Sequence, residues 1–105
     1  MVRAKLNDDI IKVKSTTELA QSLILTGSSS SRTPERGDKV FGNIENVVMS
    51  PCLGIRMVGS TACAITLVAC GRADAYFGAG FHIWDIVAAE IILNEAGGIA
   101  TSLKG

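Results

Sequence analysis

The stretch that decides the fold is Asp74-Ala-Tyr-Phe77, Gly78-Ala79-Gly80, Phe81-His82-Ile83-Trp84-Asp85 and the apolar run that closes at Glu95-Ala96-Gly97-Gly98. The first four residues read as a strand. The glycine-flanked piece is a turn, and a helix is predicted from Trp84 to Ala96, stopped by a left-handed glycine cap at Gly97-Gly98. Asp85 falls in the first turn of that predicted helix, where the helix dipole favours a carboxylate. Ligands of open α/β sheets bind beyond the carboxyl ends of the strands. The lone carboxylate between strand and helix is therefore the first candidate for chemistry.

Working upstream, Gly59-Ser60-Thr61-Ala62 repeats the strand-to-helix pattern. Leu53 to Val58 reads as a strand. Ser60 suits the N-cap of a helix that runs through Ala69 and stops at Gly71. The free amides at its start suit an anion or a hydroxyl, although an ordinary capped helix has the same signature. Before it, Thr33-Pro34 opens a helix with a proline in the first helical position. Val40, Phe41, Ile44, Val47 and Val48 fall on one stripe, and Pro51 marks the end. Leu23-Ile-Leu-Thr26 reads as a buried strand, Ile10 to Val13 as a short one, and Ile99 to Leu103 as a last one. Asp8-Asp9 reads as a solvated turn, since neighbouring side chains on a strand point to opposite faces. The serine run Gly27-Ser28-Ser29-Ser30-Ser31-Arg32 reads as a flexible loop. Strands alternating with helices predict a layered α/β domain.

The bulk properties exclude several classes. The chain has 105 residues, with 48% hydrophobic residues and a formal net charge of zero. It suits one small domain, without a polyanion-binding surface. Aromatics are 5%, too few for a base-stacking platform. No apolar run reaches the ~18 residues of a membrane helix. Cys52, Cys63 and Cys70 form no CxxC pair and read as reduced thiols, packed as small hydrophobes, in a cytoplasmic protein. His82 is the single histidine and reads as structural. No phosphate-binding loop, dinucleotide fingerprint, HExxH or GxSxG motif is present. The residues alone offer one well-placed carboxylate and two helix starts, without a complete catalytic apparatus.

Trp84-Asp85-Ile-Val-Ala-Ala-Glu-Ile-Ile-Leu-Asn-Glu-Ala-Gly-Gly98 resembles the C-terminal signature of the inositol monophosphatase family, W-D-x-A-x-x-x-x-[IVL]-x-E-A-G-G. The resemblance extends to Gly54-Ile-Arg-Met-Val-Gly-Ser-Thr-Ala62, to Ala73-Asp-Ala-Tyr-Phe77, and to the loop from Gly27 to Glu35. It implies the C-terminal portion of a layered α/β sandwich of the sugar-phosphatase type, with residues 1–105 as a single partial domain. It also implies magnesium-dependent, lithium-sensitive hydrolysis of inositol monophosphate, in dimers. By resemblance Asp85 is a ligand of the second Mg2+ and lies near an inositol hydroxyl. Gly59, Ser60 and Thr61 meet inositol hydroxyls, and Ser30 lies at the substrate rim.

Two departures from the family pattern stand out. The upstream glutamate and the D-P-x-D-G-T-type motif, which supply the other metal ligands and activate water, are not in these residues. Gly78 occupies the position of a family glutamate that binds an inositol hydroxyl. The expectation is therefore a chain that binds Mg2+ weakly and is inactive alone. The alternatives are a non-catalytic paralogue that associates with a full-length phosphatase subunit, and a phosphatase of another sugar or nucleotide phosphate.

Overall fold

The computed structural model describes residues 3–27, 34–78, 84 and 86–101. The chain begins with a two-stranded antiparallel hairpin, β1 (Lys5–Leu6) and β2 (Asp9–Ile10). Asn7 and Asp8 between them both take positive φ, 50° and 73°. Asn and Asp tolerate that region, and a two-residue loop of this kind matches the twist of a hairpin. The predicted turn is thus real but sits one residue earlier. The predicted strand from Ile10 to Val13 is corrected: β2 ends at Ile10, the Ile11 amide still donates to the Ala4 carbonyl at 3.0 Å, and the Val13 amide instead donates to the Ala96 carbonyl at 3.0 Å.

Three parallel strands form the sheet that positions the site. They are β3 (Leu23–Thr26), β4 (Gly54–Met57) and β5 (Ala75–Phe77), in the order β4-β3-β5. Leu25 of the central strand is opposite Arg56 on one side and Tyr76 on the other. Ile24, Leu25 and Thr26 are all buried, as expected of a strand covered on both faces. Thr26 meets its polar requirement by donating from Oγ1 to the Phe77 carbonyl at 2.8 Å.

Helix α1 (Pro34–Val48) connects β3 to β4, and α2 (Thr61–Ala69) connects β4 to β5. The first crossover moves outward to β4, and the second returns past β3 to β5. With right-handed crossovers, opposite directions of travel place α1 and α2 on opposite faces of the sheet. Helix α3 (Val87–Glu95) packs beside α2. The core lies under these two helices, where Leu25 meets Ala64, Val68, Ala69, Leu93 and Ala96. The alanines let helix and sheet approach closely.

Both α2 and α3 end as their glycines predict. Gly71 and Gly97 have φ of +81° and +95°. The amides of Gly71 and Arg72 return to the carbonyls of Val68 and Leu67. Those of Gly97 and Gly98 return to Asn94 and Leu93. Each pair satisfies carbonyls that the helix leaves open.

Three further expectations are corrected. The last helix begins at Val87 rather than Trp84, because Ile86 holds the N-cap position with φ −124° and has no side chain able to cap. A helix apolar nearly all round is expected to be buried on most sides, but of this one Ala89 and Leu93 are buried while Ile91 is 55% exposed and Val87 is exposed too. Residues 99–101 form no strand, since β5 is an edge and no ladder partner reaches its outer side among the described residues. Residues 102 and 103 of that predicted strand lie outside the described residues.

Candidate active site

The ends of β3 and β4 meet the start of α2. The two crossovers leave these adjacent strands toward opposite faces, which opens a crevice at their carboxyl ends. Gly27 follows β3, and Val58-Gly59-Ser60 follows β4. The Val58 amide donates to the Thr26 carbonyl at 2.8 Å, tying the two strand ends together. A Cβ on Gly27 would stand 3.3 Å from the Val58 carbonyl oxygen, so a larger residue would crowd this junction.

Ser60 is the N-cap of α2, as predicted, and its Oγ accepts from the Cys63 amide at 3.4 Å. The amides of Thr61 and Ala62, the first two of the helix, have no acceptor within it. They point out of the helix start with the positive end of its dipole, a setting that suits a phosphate or hydroxyl oxygen. Thr61 carries a second function: its Oγ1 lies 3.2 Å from the Tyr76 hydroxyl. Gly59, Ser60 and Thr61, singled out from sequence, are thus brought together at one mouth of the sheet.

Cys63 stands on the same first turn. It is exposed, which corrects its reading as a packed hydrophobe. The Ser60 side chain and then the Ser60 backbone, both hydrogen-bonded to the thiol, hold its pKa below the ordinary cysteine value. Cys52 and Cys70 are partly buried, and all three cysteines are free.

Gly78 closes β5. A Cβ built there would meet the Tyr76 hydroxyl and would stand 2.9 Å from its Cζ. The position therefore does more than lack a side chain, since the phenol of Tyr76 already fills the space. Nothing in the sequence pattern distinguishes Tyr76 from a packing residue, and the signal is visible only once Gly78 and Thr61 are placed around it.

A cavity of about 500 Å³ opens between β5, α2 and α3, lined in part by Ile65, Asp74, Tyr76, Gly78 and Leu93. Gly59, Ser60 and Thr61 do not line it, so the cavity is distinct from the crevice at the β3 and β4 ends. Asp74 is a structural anchor. Its side chain is 5% exposed, and its Oδ2 accepts from the Leu23 amide and pairs with Lys14. Burial pushes its pKa up. The Leu23 amide, the Thr16 hydroxyl and the Lys14 charge outweigh that and leave it lowered.

Asp85 and Ser30 lie outside the described residues, as does His82. Among the described residues no group of three or more His, Cys, Asp or Glu could hold a metal ion. Magnesium requires near-octahedral oxygen ligands, and the described donors do not supply them.

The inositol monophosphatase family model matches residues 1–105. The chain is 41% identical to inositol monophosphatase 1 of Homo sapiens over 99 residues, 94% of this chain and 36% of that protein. The chain belongs to the inositol monophosphatase family. The fold agrees. An IMPase of Thermotoga maritima superposes with a TM-score of 0.80 at 31% identity, covering 93% of this chain and 35% of that one. The inositol monophosphatase of Anabaena gives 0.72 at 40% identity, over 87% of this chain and 35% of that one. The chain spans about a third of the length of these family members. No helix among the described residues is long and apolar enough to cross a membrane.

Proposed function

We propose that these residues form the substrate-facing side of a phosphatase that hydrolyses inositol monophosphate to inositol and phosphate with Mg2+. The observation that carries the reading is the junction of β3, β4 and α2. There Gly59, Ser60 and Thr61 lead into the start of α2, in a chain that the family model matches throughout. The α2 amides bind and orient phosphate or polyol oxygens, and the small residues at the strand ends let a ring approach the backbone. Metal ions bound in such a site would supply positive charge to the phosphate and would lower the pKa of an attacking water. Asp85 is the residue here that would serve one of them. The water-activating motif is not in these 105 residues, so by themselves they release no phosphate. Lithium sensitivity and a dimeric state accompany this reading. The free cysteines suit a reducing compartment such as the cytoplasm.

The test is a substrate panel on a protein that joins these residues to a D-P-x-D-G-T-type segment. Preference for inositol monophosphate over other sugar phosphates and nucleotide monophosphates is expected. Equal or better turnover of another phosphate would reassign the substrate.

A second reading is supported by the outer face of α1 and β4. Phe41, Val48, Met49, Leu53 and Met57 are all exposed there. A face with this much apolar surface suits association, with a second copy or with a full-length phosphatase subunit. In that case the chain acts as a non-catalytic partner. Co-purification with a full-length subunit, unaccompanied by any turnover of its own, would favour it.

A further inference from the structure

Tyr76 is in β5 and Gly78 follows the strand's last residue, two positions on, so the extended chain turns both to one side. The phenol of Tyr76 folds along that side, and a side chain at position 78 would begin inside it. The hydroxyl reaches Thr61 Oγ1 at 3.2 Å. A Cβ on Gly27 would stand 3.9 Å from the same hydroxyl. One phenolic oxygen therefore stands among the end of β3, the end of β5 and the first turn of α2. Glycine at 78 leaves it that room, while a side chain at 27 would only touch it at ordinary contact distance.

We propose that the Tyr76–Thr61 hydroxyl pair is a specificity-determining contact for the polyol part of the substrate, and that Gly78 is the residue that lets the phenol reach its place. The proposal rests on the reading that the α2 end faces an inositol phosphate. The chemistry is that of two hydroxyls sharing one hydrogen bond. Whichever oxygen donates, the other keeps its own O–H, and both keep acceptor lone pairs. Such a pair can donate to and accept from a polyol hydroxyl. It differs from a carboxylate, which only accepts, and from the α2 amides, which only donate. The division of labour is phosphate oxygens on the amides and ring hydroxyls on the pair.

Tyr76 is the only tyrosine in the chain, so ring-labelled tyrosine gives one set of NMR signals. The 105-residue chain is titrated with myo-inositol 1-phosphate and, separately, with inorganic phosphate. The Tyr76 ring and the amides of residues 60–63 are followed together. Inositol phosphate is expected to shift both sets, and inorganic phosphate only the amides. Tyr76→Phe should weaken inositol phosphate about tenfold, the scale of one lost hydrogen bond, and leave phosphate unchanged. Retained phosphate binding shows that the variant is folded. Gly78→Ala should give the same selective loss with the tyrosine still present. Amide shifts with a silent ring, or unchanged inositol phosphate binding in Tyr76→Phe, would overturn the proposal and leave the phosphatase reading standing. Silence of both sets would remove the two together.

Discussion

The Leu23 amide donates to Asp74 Oδ2 at 2.7 Å, and the Asp74 amide donates back to the Leu23 carbonyl at 2.9 Å. This reciprocal clasp joins the start of β3 to the start of β5 before the regular ladder begins. The carboxylate pKa is lowered in the folded chain. A depressed carboxylate stabilises the fold above its unfolded pKa, near ~3.9, and that stability is lost as pH falls through the lower folded value. Thermal unfolding should therefore show a loss of stability beginning below about pH 4. Asp74→Asn should flatten that acid limb. It should also cost roughly 1.5–3 kcal/mol near neutral pH, the scale of a hydrogen bond to a charged group. An acid limb identical in the variant would assign the loss to other carboxylates.

Ser60 caps α2 and holds the Cys63 thiol at once. Ser60→Ala should destabilise the chain by about 1 kcal/mol. It should also slow alkylation of Cys63 at neutral pH, because the thiolate is the reactive form and loses the group that favours it. Mass spectrometry after limited iodoacetamide treatment resolves the three cysteines. Cys63 is expected to react first in the native chain. Equal rates at Cys63 with and without the Ser60 hydroxyl would show that exposure alone sets its reactivity.

How much of this was legible beforehand depended on whether a signal was local. The start of α1 at Pro34, the Ser60 cap and the stops at Gly71 and Gly97 are decided by residues within one turn, and each appears where the sequence puts it. The helix start at Gly59, Ser60 and Thr61 was legible for the same reason. The misplaced elements depended on partners. Residues 99–101 have strand composition but no ladder beside β5, and Ile10 to Val13 lost its strand to a tie with Ala96. Tyr76 was invisible because its significance comes from Thr61, fifteen residues away, and from the space left by Gly78. The hairpin at Asn7-Asp8 was available in the sequence as an Asn-Asp pair between short alternating runs.

The apolar face of α1 and β4 has a measurable consequence. Phe41 and Met57 are exposed, and β4 is an edge strand. An uncovered edge beside apolar side chains favours pairing with another chain. Sedimentation should show concentration-dependent association of the purified chain, reduced by Phe41→Lys together with Met57→Lys. A monomer across the micromolar range with a sharp, cooperative melt would contradict this.

Asp85→Asn probes the metal side of the proposal. In a protein that joins these residues to the water-activating segment, loss of the charged ligand should lower turnover a hundredfold or more. Groups that only support a ligand already contribute about 10–100-fold. The circular dichroism spectrum should be unchanged, since the substitution keeps the side chain's size and removes only its charge. Near-normal turnover would remove Asp85 from the site.

On the proposed function, these residues hold the substrate-facing side of an inositol phosphatase without the group that activates water. The most direct measurement is phosphate release from myo-inositol 1-phosphate by the 105-residue chain in saturating Mg2+, with and without lithium. The account predicts no release above the uncatalysed background in either condition. Mg2+-dependent release that lithium suppresses would contradict it, and would mean that residues within this chain complete the site.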